Sequence, residues 1–468
     1  MATIVTGGTV VTAVDCYQAD VRMEGEKIVA IGQHVQQMGD IEVDARGCFL
    51  FPGGIDPHTH FDLPVGKTTT ADDFQSGTQA AAVGGTTTII DFATQNKGES
   101  LAQALENWHA KAAGKSYVDY GFHLAVSDLT PSVREELMTL IASTGVASIK
   151  LYMAYKNSLQ VDDSTLLEVL QLAKTLGLLV CVHCENGDVI DVLVKEARAK
   201  GYSEPRYHPL TRPIAVEREA TGRAICLAEI AGAPLYVVHV SSAAALQTIA
   251  EAQQRGLPIY GETCPQYLLL DDSYYEAEGF SAAKYVLSPP LRPIVNQDDL
   301  WTGLYNGTLS TVGSDHCSFN LKGQKELGKK DFSEIPNGGP GVENRFGLLY
   351  SKGVVGGKLS LNQFVTVTST NAAKLFGLFP RKGTIAVGSD GDIVIWDPQV
   401  KTIISATTQT QKVDYNLYEG MEQMGKPRHV FLRGRQIVTD GILEQEVPTG
   451  SYLRRKAYSA GIKSNISI

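Results

Sequence analysis

Asp56-Pro57-His58-Thr59-His60 is the stretch on which the rest of the chain turns. Side chains of an extended segment alternate between its two faces, so His58 and His60 share one side, where their imidazole nitrogens can reach one metal ion. The five residues follow residues 48–55 (CFLFPGGI), an apolar run broken by Pro-Gly-Gly. That run reads as a buried strand passing into a loop. A lone His-x-His is a weak sign, because surface and core histidines are common. Its meaning depends on what lies downstream.

Downstream, apolar strand-like runs alternate with helix-length segments. The runs are 49–55, 86–92, 120–126, 147–152, 178–183, 235–240, 259–263 and 310–315. Amphipathic segments at 100–113, 132–143, 164–176, 215–231 and 243–255 lie between them. Eight strand-and-helix units over roughly 270 residues predict an α/β fold, a (β/α)8 TIM-like barrel, whose usual size is ~250 residues. The structural rival is a doubly wound open sheet, but no Gly-x-Gly-x-x-Gly follows an early strand to bind a dinucleotide. Before residue 50, short β-rich runs alternate with turns. The same rhythm returns after about residue 380, behind a helical stretch at 358–376. The expectation is a small β-sandwich domain from residues 1–50 and 380–445, a metal-dependent catalytic barrel over 51–379, and a polar tail at 446–468. That tail reads as a solvated extension or an inter-subunit arm.

At 468 residues the chain can bury a large core, and 43% hydrophobic with 20% charged residues is ordinary for a globular protein. A formal net charge of -10, with no long basic block, argues against nucleic-acid binding. No uncharged apolar stretch reaches membrane-spanning length, and residues 1–14 lack the features of a signal peptide. The seven cysteines are odd in number and scattered, as in a reduced cytoplasmic protein. Cys181-x-x-Cys184 has no second pair, which argues against a zinc ribbon.

In a barrel of this type the active site lies at the C-terminal ends of the strands. His58 and His60 close the first strand, Lys150 lies in the fourth, His183 closes the fifth, His239 the sixth and Asp315 the eighth. Singly, each has a bland reading: a core histidine, an ion-paired lysine, an aspartate N-cap. Jointly, four histidines, a lysine and an aspartate at one mouth would be costly to bury without a partner, and a divalent metal supplies one. As an ammonium, lysine cannot ligate a cation. Deprotonated in a low-dielectric site it can add carbon dioxide, and the carbamate can bridge two metals. Two such metals can activate water and polarise a carbonyl. Imidazole and carboxylate ligands without thiolates fit Zn2+, with manganese, cobalt or nickel left open.

These residues sit in FPGGIDPHTH (51–60), GGTTT (84–88), KLYMAYK (150–156), HCENGD (183–188), YVVHV (236–240), GETCPQY (261–267), SPPLR (288–292), GSDHC (313–317), IPNGG (335–339) and LFGLFP (375–380). With them the chain resembles the cyclic amidohydrolases, specifically the D-hydantoinase and dihydropyrimidinase family, over about residues 1–445. The resemblance implies a binuclear site. One metal would be held by His58, His60 and Asp315 and the other by His183 and His239, with carboxylated Lys150 between them. It implies that Tyr155 donates to the developing oxyanion and that backbone groups at Ser288 and Asn337 hold the ring imide. Bland readings stay open for these three, as an interface aromatic and two turn residues. Asp315 would take a proton from the attacking water and return it to the leaving nitrogen, giving an N-carbamoyl amino acid from a small cyclic ureide. A homotetramer is implied too. Leu63, Tyr152 and Leu159, in loops near the mouth, are expected to wall the pocket for the substrate's exocyclic group. Tyr152 is a departure, since bacterial hydantoinases resemble one another in a phenylalanine there. Dihydroorotases resemble one another in an arginine where this chain has Asp62. Allantoinase is a nearer rival. A non-enzymatic collapsin-response-mediator-like protein would have lost metal ligands that are all present here.

Overall fold

The computed structural model describes residues 2–444 and 447–458. Eight strands form a parallel sheet in sequence order: β1 (Gly54–Thr59), β2 (Thr86–Thr94), β3 (Asp119–Ala125), β4 (Ser148–Tyr152), β5 (Leu179–His183), β6 (Leu235–Val237), β7 (Ile259–Thr263) and β8 (Thr311–Val312). Every residue of these strands is buried. Parallel sheets covered on both faces read as continuous apolar runs, which is why the strands stood out in the sequence. The ring closes at its C-terminal edge, where Thr59 bridges His316 and the His60 amide donates to the His316 carbonyl at 2.8 Å. Helices such as Phe74–Val83, Leu101–Ala112, Asp163–Leu176 and Ala243–Gln254 cover it, capped by Asp73, Ser100, Asp162 and Ser242. The fold is the expected TIM-like barrel.

Two further sheets come from the chain ends. Four strands order as Lys27–Gly32, Asp20–Glu24, Thr3–Thr6 and Ile41–Asp44. Seven order as Ile442–Leu443, Arg435–Thr439, Glu422–Leu432, Ile393–Ile403, Phe49–Pro52, Thr9–Val11 and Cys16–Gln18, so N- and C-terminal residues share one sheet. The apolar run 49–55 is therefore two strands. Phe49–Pro52 pairs with Ile393–Ile403, and the chain then enters β1. The break falls at Gly53, where a Cβ would stand 2.0 Å from Thr87 Oγ1, so any larger residue would force the two apart. Phe51, Phe346, Phe364 and Trp396 pack where this sheet meets the barrel.

Residues 451–458 lie against the N-terminal end of the barrel. The Tyr120 amide donates to the Ser451 carbonyl, and Leu453 donates back to Tyr120 at 2.7 Å. Buried Arg455 donates to Ser148 Oγ at 3.0 Å and to the Phe122 carbonyl. Composition suggested a solvated tail or an arm because it cannot show that this guanidinium finds buried acceptors inside the ring. Residues 459–468 fall outside the described residues.

Candidate metal centre

Alternation along β1 places its polar side chains as the sequence implies. Thr59 turns away and donates to Asp91 Oδ2 at 2.8 Å, while His58 and His60 point to the other side with ring centroids 5.2 Å apart. Asp315 faces them from beyond β8. Its Oδ1 lies 3.2 Å from His58 Nε2 and 3.3 Å from His60 Nε2, and the three potential ligand atoms fall within 4.8 Å of one another. Burial pushes the Asp315 carboxyl up, but His58 and His60 beside it outweigh burial and hold it below the ordinary value. Burial drives His58 well below its ordinary value, although Asp315 opposes it. An ionised carboxylate beside a neutral imidazole offers lone pairs to a cation.

A second pair lies alongside. His183 Nδ1 is 2.8 Å from His239 Nε2, and the His58 and His239 rings stack at 5.5 Å. The outward nitrogens of His183 and His58 are held. His183 Nε2 lies 2.9 Å from Glu185 Oε2, which also accepts from Arg212 Nη1 at 2.6 Å. His58 Nδ1 lies 2.6 Å from Glu262 Oε1, and Glu262 Oε2 accepts from the Tyr236 hydroxyl at 2.8 Å. A carboxylate on one ring nitrogen fixes the tautomer and leaves the other nitrogen a lone pair, the arrangement that orients metal-ligating histidines. His239 Nδ1 is buried without a hydrogen-bond partner among the described residues. Protein groups alone leave this cluster under-satisfied, and its donors fit divalent metal.

Lys150 rises from β4 between these groups, 1% exposed, with Nζ 4.8 Å from the Phe92 ring centre and 5.1 Å from that of Tyr152. Burial lowers its pKa, against the pull of Cys181, Asp315 and Glu262. Among the described residues no carboxylate lies within ion-pairing distance of its ammonium. Burial thus disfavours the ammonium relative to that of an exposed lysine.

Tyr155 stands in the turn after β4, 5.1 Å from the His183 ring, with Arg212 5.7 Å over its own. Burial raises its hydroxyl pKa, so it stays a donor, although Arg212 pulls the other way. Tyr155, His239 and Asp315 adopt left-handed backbone at φ 68°, 41° and 51°. Such strain in non-glycine residues collects at functional sites. It also explains why the sixth and eighth strands are shorter than expected. Both ladders stop at Val237 and Val312, and the chain then turns His239 and Asp315 towards the mouth.

The remaining predicted residues are more dispersed. Tyr152 packs 5.9 Å from both Tyr155 and His183. Leu159 is half-buried, its amide donating to the Tyr155 carbonyl at 3.1 Å. Leu63 lines a cavity of about 280 Å³ with Thr94, Asn96 and Trp108. Ser288 is buried with its side chain beside the Tyr155 hydroxyl, while Asn337 is half-buried ahead of Gly338. Sequence reasoning assigned no role to Glu262, Glu185 or Arg212. Two signals were available: Glu262 is the one charged residue of β7, and Glu185 lies two residues past His183.

Imidazoles and a carboxylate gathered at the C-terminal mouth of a parallel barrel define a metal-dependent barrel hydrolase. The sequence model of the amidohydrolase family matches residues 49–437, and the chain belongs to that family. It is 55% identical over 460 residues to a D-hydantoinase of Geobacillus stearothermophilus, covering 98% of each chain. It is 43% identical over 470 residues to a dihydropyrimidinase of Rattus norvegicus, covering 99% of this chain and 90% of that one. The crystal structure of a dihydropyrimidinase from Brevibacillus agri superposes with a TM-score of 0.97 at 55% identity, covering 98% of this chain and all of that one.

Proposed function

We propose that this protein hydrolyses the cyclic amide bond of hydantoins or dihydropyrimidines, giving N-carbamoyl amino acids. The observation that carries the reading is the convergence of His58, His60 and Asp315 with His183 and His239 around buried Lys150. The D-hydantoinase and dihydropyrimidinase relatives support the substrate class. His58, His60 and Asp315 would hold one divalent ion and His183 and His239 a second, most simply Zn2+. When bound, the ions supply a nucleophile at neutral pH and polarise the carbonyl. The Lys150 amine would add to carbon dioxide, forming an N–C bond and releasing a proton to water, and the resulting carbamate would offer oxygen ligands to both ions.

The protein's own groups then divide the work. Asp315, held ionised, accepts the proton of the attacking water and passes it to the ring nitrogen as the C–N bond breaks. Tyr155 donates to the carbonyl oxygen as charge builds there. Backbone groups at Ser288 and Asn337 hold the imide, and Tyr152, Leu159 and Leu63 act on the exocyclic group. The same reading includes a β-sandwich domain of residues 1–50 and 380–445, a barrel domain of 51–379 and a homotetramer. Cytoplasmic location is part of it, supported by free cysteines at all seven positions. Among the described residues no helix is long and apolar enough to cross a membrane. The test is turnover of dihydrouracil, 5-substituted hydantoins and allantoin by the metal-loaded protein. Ring opening of the first two with little of the third is expected. Turnover of allantoin alone would overturn the substrate assignment.

A further inference from the structure

Lys325 is a fully buried lysine outside the metal cluster, and among the described residues it has no acidic partner. Its Nζ donates to two backbone carbonyls, Val286 at 2.8 Å and Pro336 at 3.0 Å. The Val286 carbonyl also accepts from the Gly338 amide at 3.0 Å, so one ammonium ties the 286–288 segment to the 336–338 segment. A second buried group holds the peptide between them. His208 Nε2 lies 2.8 Å from the Leu287 carbonyl. Burial drives His208 down to about 3, so the ring is neutral at pH 7 and Nε2 carries the proton in this contact.

These carbonyls matter because of what shares their peptide planes. The Leu287 carbonyl and the Ser288 amide belong to one rigid trans peptide, as do the Pro336 carbonyl and the Asn337 amide. In a trans peptide C=O and N–H point in opposite directions, so pinning the oxygen aims the amide, a donor to an imide carbonyl. The Gly338 amide, pinned to the Val286 carbonyl that Lys325 holds, likewise aims the Asn337 carbonyl of its own peptide, the acceptor that an imide N–H requires. Neither the Ser288 nor the Asn337 amide donates to another described residue. Burying a lysine without a counter-ion is costly, and nothing in the fold here requires a charge. Burial brings Lys325 down to about 7. Ammonium and free amine both keep at least two N–H donors, enough for both carbonyls in either state.

We propose that Lys325 and His208 are positioning residues that fix the Ser288 and Asn337 peptide groups against the substrate's imide. The inference rests on the functional reading above, which assigns the imide to those two peptides.

The test compares Lys325→Met with the wild-type metal-loaded enzyme, on hydantoin and on its imide N-methyl derivative. Methylation removes the imide N–H. It is expected to raise wild-type KM about tenfold, the value of roughly one hydrogen bond. In Lys325→Met, KM for plain hydantoin is expected to rise ~10-fold with kcat and bound metal within ~3-fold, and methylation should then add less than ~3-fold, because coupled groups are non-additive. An undiminished methylation penalty in the variant, or an unchanged KM, would overturn the proposal and leave Lys325 a structural residue. If Lys325→Met does not fold, His208 carries the same test. His208→Leu is expected to raise KM and His208→Gln, which can still donate to Leu287, to recover it. Equal effects of the two would overturn the proposal. Metal-loaded wild type that opens neither hydantoin nor dihydrouracil would remove the functional reading itself, a result distinct from all of these.

Discussion

Replacing Glu262 by glutamine removes one charge and almost no volume. Glu262 Oε1 lies 2.6 Å from His58 Nδ1 and accepts from the His239 amide at 3.2 Å, so two proposed metal ligands hang on one carboxylate. The amide keeps an oxygen for His58. Its NH2 faces the Tyr236 hydroxyl, which can turn to Thr311 instead. The loss is thus the charge alone. Hydrogen bonds to charged groups contribute ~1.5–3 kcal/mol against ~1 for neutral ones, a deficit of ~0.5–2 kcal/mol. That corresponds to ~2–30-fold in metal affinity, overlapping the ~10–100-fold typical of lost orienting partners. The assay is a zinc titration of metal-free protein against a competing chelator, with thermal melting as a check on the fold. About tenfold weaker binding is expected. Burial pushes Glu262 up to about 7, so its anion forms above that pH and is lost below it. Wild-type affinity should therefore fall more steeply than the variant's as pH drops through 7. Affinity within twofold of wild type, with the same pH profile, would refute the idea that Glu262 orients His58.

Two further outcomes follow from the site. Asp315→Asn keeps an oxygen towards His58 and His60 but cannot take up a proton. It is expected to retain most metal and lose ~10²–10⁴-fold in turnover, and retention of a tenth of wild-type activity would refute the acid–base role. Burial opposes ionisation of Glu185, but Arg212 and His183 outweigh it and bring its pKa from 4.5 down to about 2. A carboxylate depressed in the fold stabilises it above the unfolded value and loses that contribution as pH falls, here from 4.5 towards 2, on the order of 3 kcal/mol. Denaturant melts of metal-free protein should show this acid loss in wild type and a flatter profile in Glu185→Gln. Parallel profiles would contradict the assignment.

What the sequence disclosed was governed by periodicity. The eight barrel strands were visible as apolar runs because both of their faces are covered. His58 and His60 were legible because a period of two sets them on one face. The Pro-Gly-Gly break was legible too, but not that it divides the run between two sheets, which depends on pairing with distant Ile393–Ile403 and on the close approach of Thr87. The short ends of β6 and β8 were hidden for a related reason. Left-handed backbone at His239 and Asp315 leaves no mark in composition. Glu262 and Lys325 act through partners distant in sequence, and Glu185 joins nearby His183 to distant Arg212, so what each of them holds shows only in three dimensions. Arg455 likewise reads as a solvated charge until Ser148 and Phe122 appear beside it.

The central claim is that Lys150 becomes the carbamate on which both metal positions depend, and metal content of Lys150→Ala measures it most directly. The variant is expected to lose metal and turnover together, and to regain part of both when a small carboxylic acid fills the vacated bridge. Lys150→Arg should resist that rescue, because guanidinium stays cationic. Two metals per chain and full turnover in Lys150→Ala would contradict the account.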